Sequence, residues 1–264
     1  MKKILLLLLL SASLSTFALE LDFWSSESFC FASPNVQNRN GVRYLPNQQE
    51  PFTGENLCVF TNGQYHSKGN ILNGLFDGKW TFWFENGQKQ FEGDYIKSKG
   101  HGNWIMWHSN GQIKADVTYK EGKFVDKHAE WYKNGQKQSE KNFKNGKKVG
   151  KSTIWHDNGQ KALEGNFKND MEDGIFTEWY SNGQKIHDIN YIDGKRECKY
   201  TKWHENGVKV SEGNYKDDER VGDWTFWYKD GSKREAGFYQ YGIYNEICPS
   251  CSGKRGSAYI SGDC

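Results

Sequence analysis

The residues best placed to do chemistry in this chain are histidines, carboxylates and cysteines that recur at fixed intervals. His108, His156 and His204 are separated by 48 residues each, which invites a metal-site interpretation. In a sheet of hairpins that interval is about four strands, so at ~4.8 Å per strand two such histidines lie about 19 Å apart. Zinc ligands lie ~2 Å from the metal. These histidines therefore cannot share an ion, and no metal or cofactor is expected.

The carboxylates form a regular column. It consists of Glu92, Asp116, Glu140, Glu164, Asp188 and Glu212. A catalytic pair departs from a repeat, whereas these residues occur once in every 24, so we expect solvated partners for lysines. The sequence contains no Gly-x-Ser-x-Gly, phosphate-binding loop or His-Glu-x-x-His motif, and no polar cluster is expected to break the repeat between residues 59 and 242. The prediction is a non-enzyme without catalytic residues.

The cysteines are candidates for redox or disulfide chemistry. Cys248 and Cys251 form a Cys-x-x-Cys pair in a tail that departs from the repeat, and Cys264 follows. Such a pair can be a redox centre, half of a metal site or a small disulfide loop. A thioredoxin-type centre opens a helix in a βαβ setting, which this tail does not offer, so a structural disulfide is favoured. Cys30 and Cys58 are further candidates, and six cysteines leave about fifteen pairings open.

The element that must position these residues is a 24-residue repeat marked by Asn-Gly, or by Asp-Gly in the last unit. Its turn glycines are Gly63, Gly87, Gly111, Gly135, Gly159, Gly183, Gly207 and Gly231. Asn-Gly between aromatic and β-branched runs predicts a two-residue type I′ turn with positive φ at both central residues. Second turns near Asp77-Gly78, residues 100–102, Asn145-Gly146 and Asp193-Gly194 would return the chain. The predicted fold is all-β, an elongated single-layer antiparallel β-meander of tandem hairpins with about sixteen strands.

Two aromatic columns keep the register of the repeat. Three residues before each turn Asn or Asp stand Val59, Trp83, Trp107, Trp131, Trp155, Trp179, Trp203 and Trp227. Nine residues after it stand Ile71, Tyr95, Tyr119, Phe143, Phe167, Tyr191, Tyr215 and Tyr239. The first unit is aliphatic in both columns, which is typical of a terminal cap. We interpret the Trp column mainly as packing that holds a single sheet together.

A possible binding surface is expected on the face opposite the Trp column, because side chains alternate along a strand. Its rings are Phe84, His108, Tyr132, His156, Tyr180, His204 and Tyr228. Its lysines are Lys89, Lys137, Lys161, Lys185, Lys209 and Lys233. We expect these lysines to oppose the rings across each hairpin, with their stems along the rings and their ammonium groups in water.

The beginning of the chain has the layout of an export signal, with Lys2 and Lys3, an apolar run from Ile4 to Leu10, and a small-residue site ending at Ala18. Its apolar core is too short to span a bilayer, so export to the periplasm, cell surface or medium is predicted. Without the signal, 33 basic residues balance 33 acidic ones, which disfavours nucleic acid as a ligand. The expected organisation is a signal peptide (1–18), an N-terminal cap segment (19–58), eight repeats (59–242) and a Cys-containing tail (243–264).

Residues 78–89, GKWTFWFENGQK, followed by Glu92, Gly93, Asp94 and Tyr95, resemble the bacterial variant of the MORN repeat. The resemblance recurs over residues 59–242 and implies an elongated array of hairpins used for binding, whose bacterial relatives are often labelled antitoxin-like. We expect an exported scaffold that binds a protein or a glycan, with its oligomeric state open. The alternatives are an antitoxin-like partner of a toxin, thiol-disulfide exchange through Cys248 and Cys251, and membrane-surface association.

Overall fold

The computed structural model describes residues 28–30, 36–240 and 242–246, without the side chains of 28–30 and 244–246. Within these residues all regular elements are β-strands. The predicted signal peptide (1–18) and the candidate cysteines Cys248, Cys251 and Cys264 lie outside the described residues. The described part contains no helix with the length and apolarity needed to cross a membrane.

The strands follow one another at short intervals along the chain. They are β1 (Ser28–Cys30), β2 (Gln37–Arg39), β3 (Val42–Tyr44), β4 (Gly54–Phe60), β5 (Tyr65–Leu72), β6 (Leu75–Trp83), β7 (Lys89–Ile96), β8 (Lys99–Trp107), β9 (Ile113–Lys120), β10 (Lys123–Trp131), β11 (Lys137–Lys144), β12 (Lys147–Lys148), β13 (Gly150–Trp155), β14 (Lys161–Lys168), β15 (Met171–Glu172), β16 (Gly174–Trp179), β17 (Lys185–Ile192), β18 (Lys195–Trp203), β19 (Lys209–Lys216), β20 (Glu219–Trp227), β21 (Lys233–Gln240) and β22 (Ile243–Glu246).

One antiparallel sheet contains all of these strands except the small β2–β3 hairpin. From β4 to β22 each strand pairs with the next along the chain, except that β12 and β13 both pair with β11, and β15 and β16 both pair with β14. β1 pairs with β4. Strands β12–β13 and β15–β16 are single strands interrupted by one residue, so the sheet has 18 strands. The sheet is not closed. The predicted all-β meander of consecutive hairpins is confirmed.

The Asn-Gly turns differ from the predicted type I′ geometry. In the second hairpin the Phe84 amide donates to the Gln88 carbonyl (2.7 Å), and the Gly87 amide donates to the Phe84 carbonyl (2.9 Å). Gly87 has φ +82°, whereas Asn86 is not among the residues with positive φ. This is a three-residue loop in which a type I turn precedes a glycine in the left-handed region. The prediction of positive φ at both residues was therefore wrong.

The Asn side chain in each of these turns connects two consecutive units. Asn86 Oδ1 accepts from the Gln88 amide (3.1 Å), while its Nδ2 donates to the Ser109 carbonyl of the next turn (2.9 Å). The same inter-turn bond runs from Asn62 to Glu85, Asn110 to Lys133, Asn134 to Asp157, Asn158 to Ser181, Asn182 to Glu205 and Asn206 to Lys229. A column of asparagines therefore joins the turns at one end of the sheet.

The return turns at the other end of the sheet have positive φ at both central residues, as type I′ turns require. They are Asn73-Gly74, Lys97-Ser98, Glu121-Gly122, Asn145-Gly146, Asn169-Asp170, Asp193-Gly194 and Asp217-Asp218. The predicted return turns at Asn145-Gly146 and Asp193-Gly194 are confirmed. Those at Asp77-Gly78 and residues 100–102 were wrong, because these residues lie inside β6 and β8. The ladders are irregular next to Gly78 and Gly102, both with φ +68°, so these glycines mark β-bulges.

One face of the sheet, here called the packed face, buries most of the large rings. Trp80 is 1% exposed and Trp224 is 0% exposed. Each lies against a glycine eleven residues earlier, so that a Cβ on Gly69 or Gly213 would come within 2.2–2.3 Å of the indole. Trp104 is also buried there. The most deeply buried tryptophans thus belong to a column that the sequence analysis did not single out.

Candidate binding face

The opposite side of the sheet carries the regular Trp column and is here called the Trp–Lys face. Trp83 is paired with Lys89, and Thr81 with Glu92. Since Trp80 and Phe82 lie on the packed face, the alternation of side chains puts Thr81 on the other. The lysines therefore oppose the tryptophans. The expectation that they oppose the ring column that begins at Phe84 was wrong, because a bulge between Phe82 and Trp83 shifts the register.

The Trp–Lys face is built of rungs, each a carboxylate held by lysines. In the first rung Glu92 lies 2.7 Å from Lys89 Nζ and 3.0 Å from Lys79 Nζ. Partial burial by itself raises the pKa of Glu92, but hydrogen bonds from Lys89, Lys79 and Thr81 outweigh it and lower the pKa to about 2. The carboxylate therefore stays ionised, and the rung keeps two positive charges and one negative charge.

The same rung recurs along the face. Glu140 is bound by Lys137 (2.7 Å) and Lys127 (2.9 Å), and Glu164 by Lys161 (2.6 Å) and Lys151 (3.1 Å). Glu212 is bound by Lys209 at 2.6 Å, with Lys199 close enough to lower its pKa further. Hydrogen bonds from Lys137 and Lys161 lower the pKa of Glu140 and of Glu164.

Two units have weaker rungs. Asp188 is held by Lys185 alone (2.7 Å), since Ile175 occupies the position of the second lysine. In the unit of Asp116 the two lysine positions are taken by Asn103 and Ile113. The longest continuous run of complete rungs therefore covers the adjacent units of Glu140 and Glu164.

In five units the lysine three residues before the carboxylate, here called the inner lysine, also lies over the indole of the following unit. The Nζ-to-ring distances are 5.6 Å for Lys89 and Trp107, 5.6 Å for Lys137 and Trp155, 5.8 Å for Lys161 and Trp179, 5.6 Å for Lys185 and Trp203, and 5.7 Å for Lys209 and Trp227. An ammonium at this distance over an indole face is attracted to its π electrons. The rungs are therefore linked to one another through the tryptophans, which keeps the lysines in a fixed array.

A shallow cleft of about 260 Å³ opens between the rungs of Glu140 and Glu164. Besides these two carboxylates it is lined by Asn142, Lys151, Thr153, Trp155 and Lys161. An aromatic ring, a hydroxyl, an amide and ammonium groups thus converge on one depression. This composition is typical of a site for a polar ligand that also has an apolar face.

The ring column from Phe84 to Tyr228, predicted as a binding surface, joins neighbouring hairpins. His108 Nε2 and His156 Nε2 lie 2.8 and 2.9 Å from the carbonyls of Trp131 and Trp179 in the next units. Tyr132 donates its hydroxyl to the Trp155 carbonyl (2.8 Å) in the same way. One polar atom of each of these three rings is therefore engaged within the array.

A polar cluster interrupts the packed face at its middle. It consists of His128, Glu130, Ser139 and Lys141, which occupy positions filled by Trp80, Phe82, Phe91 and Gly93 in the second hairpin. Glu130 accepts a hydrogen bond from the Ser139 hydroxyl (2.6 Å) and lies 3.4 Å from both His128 Nε2 and Lys141 Nζ. The expectation that no polar cluster breaks the repeat was therefore wrong.

This His128–Glu130 cluster has the residue types of a nucleophilic site but not its geometry. A serine nucleophile needs an adjacent base that accepts its proton. The Ser139 hydroxyl donates to Glu130, but His128 lowers the pKa of Glu130, which makes this carboxylate a weak base. Ser139 is only 2% exposed, so a substrate cannot reach it. The cluster is best understood as a buried polar network that replaces ring packing.

A second polar pair lies farther along the packed face. His187 Nε2 is 3.1 Å from Glu178, and burial together with the charge of Lys202 lowers the pKa of His187 to about 4. Burial raises the pKa of Glu178. At neutral pH the imidazole is therefore uncharged, and its Nε2 lies next to a carboxylate.

The described residues include three cysteines, Cys30, Cys58 and Cys198. Cys58 and Cys198 each take part in a disulfide bond, and Cys30 is opposite Cys58 in the β1–β4 ladder. Cys198, which the sequence analysis did not name, lies at a bulge with φ +59°. Among the described side chains there is no group of three or more His, Cys, Asp or Glu that could hold a metal ion.

Comparison with known proteins agrees with this repeat architecture. A family model described as a MORN repeat variant matches residues 76–97, 100–121, 128–145, 148–169, 172–193 and 196–217. None of the curated proteins matches the chain. An alternansucrase solved in complex with isomaltononaose is similar over 80% of this chain but only 16% of its own, with 13% identity and a TM-score of 0.19. That likeness carries no argument, whereas the six repeat matches identify the chain as a MORN-repeat protein.

Proposed function

We propose that this chain is a non-enzymatic scaffold that is exported and binds a protein or glycan partner through its Trp–Lys face. The rungs of that face carry the proposal, because the same arrangement of lysine, carboxylate and tryptophan recurs in five units of the repeat. Asn side chains and cation–indole contacts join consecutive units, so the array is preorganised for an extended partner. The N-terminal sequence supports export.

The binding test uses purified residues 19–264 and an envelope extract of the producing cells, separated into protein and polysaccharide fractions. Lys127, Lys151 and Lys199 are replaced by Glu, while a control carries the same charge reversal at Lys97, Lys133 and Lys229 in turns between strands. Saturable binding of one fraction, lost in the first variant and retained in the control, is expected. Equal binding by wild type and both variants would contradict the assignment of the Trp–Lys face.

Export and the absence of catalysis are tested separately. The full chain, expressed with its own N-terminus, should be recovered outside the cytoplasm with the mass of residues 19–264. Recovery of the uncleaved chain in the cytoplasm would refute export. A hydrolase or transferase activity lost in Glu130→Gln would refute the non-enzymatic part, since Glu130 belongs to the described polar cluster that departs from the repeat.

Disulfide pairing is part of the same proposal, because disulfides persist in oxidising compartments. We infer that Cys30 bonds with Cys58, since the two residues are directly opposite in the β1–β4 ladder and neighbouring antiparallel strands bring Cα atoms to within ~5.5 Å. Non-reducing peptide mapping of the exported protein should recover the two cysteines in one linked fragment. A free thiol at Cys30 would exclude the pairing.

A further inference from the structure

We propose that the Trp–Lys face binds an extended anionic polysaccharide, and that the cleft between Glu140 and Glu164 holds one of its acidic sugars. The inference rests on the proposed binding function and deepens it by naming the class of ligand. It is carried by three features of the described residues: the charge of the rungs, the accessibility of the outer lysines and the composition of the cleft.

The charge of the rungs favours an anionic ligand. The rungs of Glu92, Glu140 and Glu164 each contain two lysines and one carboxylate, which leaves one positive charge per rung. Lys199 and Lys209 give the rung of Glu212 the same balance. The whole chain has a formal net charge of only +2. Across the six carboxylate positions of the column the balance is +3, because Lys185 only neutralises Asp188 and the lysine positions beside Asp116 hold Asn103 and Ile113. Positive charge is therefore in excess along this column.

The second lysine of each rung, thirteen residues before the carboxylate and here called the outer lysine, is the more accessible of the two. The side chains of Lys79, Lys127 and Lys151 are 66%, 58% and 61% exposed. The carboxylates that hold them are 22%, 29% and 26% exposed. An approaching ligand therefore meets ammonium groups before carboxylates, and each ammonium still has donors free for a charged hydrogen bond to an anionic oxygen.

The cleft has complementary groups for an acidic pyranose. The part of the Trp155 ring that lines the cleft can pack against the C–H face of a sugar, and Thr153, which is 6% exposed, lies beside it in the lining. The ammonium of Lys151 at the same cleft can pair with a sugar carboxylate. A short acidic peptide would satisfy the lysine alone, without the need for an adjacent ring and hydroxyl.

The spacing of the rungs favours a polymer with a regular repeat. Consecutive units are two strands apart, so equivalent positions recur at about 9.6 Å, and the rungs with two lysines lie one or two of these steps apart. A ligand that contacts several rungs in the same way must present the same groups at equal steps. A polysaccharide of identical acidic sugars does this, whereas an ordinary protein segment presents a different side chain at each step.

The test measures binding of purified residues 19–264 to four immobilised probes at low salt. The probes are alginate as a polyuronate, dextran as a neutral glucan, poly-glutamate as an anionic peptide, and vesicles rich in phosphatidylglycerol. The Lys127→Gln/Lys151→Gln variant removes two outer lysines and leaves Lys137 and Lys161 in place. The matched variant Lys133→Gln/Lys229→Gln removes the same charge from an Asn-Gly and an Asp-Gly turn. A third variant, Trp155→Val, introduces the residue that Val59 supplies in the first unit.

Saturable binding to alginate and none to dextran is expected, with affinity about tenfold lower in Lys127→Gln/Lys151→Gln and unchanged in the turn-lysine variant. Trp155→Val should also lower it. No binding to alginate, equal loss in both lysine variants, or equal affinity for poly-glutamate or vesicles would overturn the inference. If the envelope extract is bound through the Trp–Lys face while alginate is not, the scaffold function stands and only the ligand class fails.

Discussion

At the scale of single residues, the packed face depends on pairs in which a glycine makes room for a ring. Gly93 lies under Trp104 and Gly213 under Trp224. Where the glycine position is filled, the ring position changes as well: Lys141 is followed eleven residues later by Ser152. The three tryptophans of this ring position, Trp80, Trp104 and Trp224, all follow a glycine, whereas Ile189 is followed by the smaller ring of Tyr200. These glycine–tryptophan pairs lie near the two ends of the packed face, so the most deeply buried rings are found there.

Gly213→Ala tests this pairing. The new Cβ would lie 2.3 Å from the indole of Trp224, which is fully buried, so the ring must shift in a packed environment. We expect a loss of about 1–3 kcal/mol in the free energy of unfolding, measured by urea denaturation. Addition of Trp224→Ser, which recreates the small residue found at Ser152, should relieve the clash. A single variant as stable as wild type would show that the indole moves freely.

The pH dependence of stability should report on His187. Its pKa is lowered to about 4 in the folded chain from a usual value of 6.5, so the unfolded chain binds more protons between these pH values. Its contribution to stability is present above pH 6.5 and is lost as the pH falls towards 4. His187→Leu, which copies Leu163 of the preceding unit, should flatten the stability curve in this window. Parallel curves for the two proteins from urea denaturation would contradict this expectation.

At the scale of the element, each hairpin ends in a turn that is tied to the next one. Asn158 uses Oδ1 to close its own turn on the Gln160 amide and Nδ2 to bind the Ser181 carbonyl. Asp230 keeps the first bond, to the Ser232 amide, but its carboxylate has no proton to donate. The asparagine is therefore needed for contact between units as well as for the turn itself.

Asn158→Asp separates these two roles. The carboxylate can still accept from the Gln160 amide but cannot donate to the Ser181 carbonyl, which it also repels. We expect a loss of about 0.5–1.5 kcal/mol in the free energy of unfolding, measured by chemical denaturation. Asp230→Asn is the control at the last such turn and should change stability by less. Equal effects at both sites would mean that the inter-turn bond contributes nothing.

At the scale of the whole molecule, two clusters of buried side chains lie on either side of a polar middle. The first includes Ile71, Trp80 and Val117, and the second includes Tyr215 and Trp224. Between them are the His128–Glu130 cluster and Ser152 in place of large rings. In a repeat array each unit is stabilised mainly by its neighbours, so we expect the middle to be the place where cooperativity is weakest.

Gly159→Val should uncouple the two parts of the array. Gly159 has φ +83° in the turn between the two clusters, and a β-branched residue there costs about 1–3 kcal/mol in backbone strain. Thermal unfolding followed by tryptophan fluorescence should separate into two transitions. Gly231→Val, at φ +89° in the last Asn-Gly-type turn, should affect only the final hairpin. Single transitions at the wild-type temperature in both variants would refute this.

The overall shape of the array gives an independent measurement. An open meander of 18 strands is elongated along the direction in which strands add, at about 4.8 Å each. Small-angle scattering of residues 19–264 should give a radius of gyration well above the ~18 Å of a compact domain of that length. A value near 18 Å would indicate that the sheet folds back on itself.

The sequence alone determined the period, the hairpins and the all-β meander, because Asn-Gly and the aromatic columns recur in strict register and no proline lies between Pro51 and Pro249. It could not determine the turn type, since Asn-Gly suits both the two-residue and three-residue loops, and the bulge beside Trp83 selects between them. Lys97-Ser98 became a return turn at positive φ although neither residue favours it, because neighbouring strands set where β7 must end.

The composition of the candidate binding face was decided by tertiary structure for the same reason. The sequence placed Lys89 in a column with Phe84, and the one-residue register shift instead placed it beside Trp83, Glu92 and the next unit's Trp107. The buried network of Glu130 could not be predicted from the sequence either. A polar residue in a repeat position is expected to be solvated unless the side chains that face it from the neighbouring strand are known. Side-chain period is two residues in a strand, so a shift of one residue exchanges the faces.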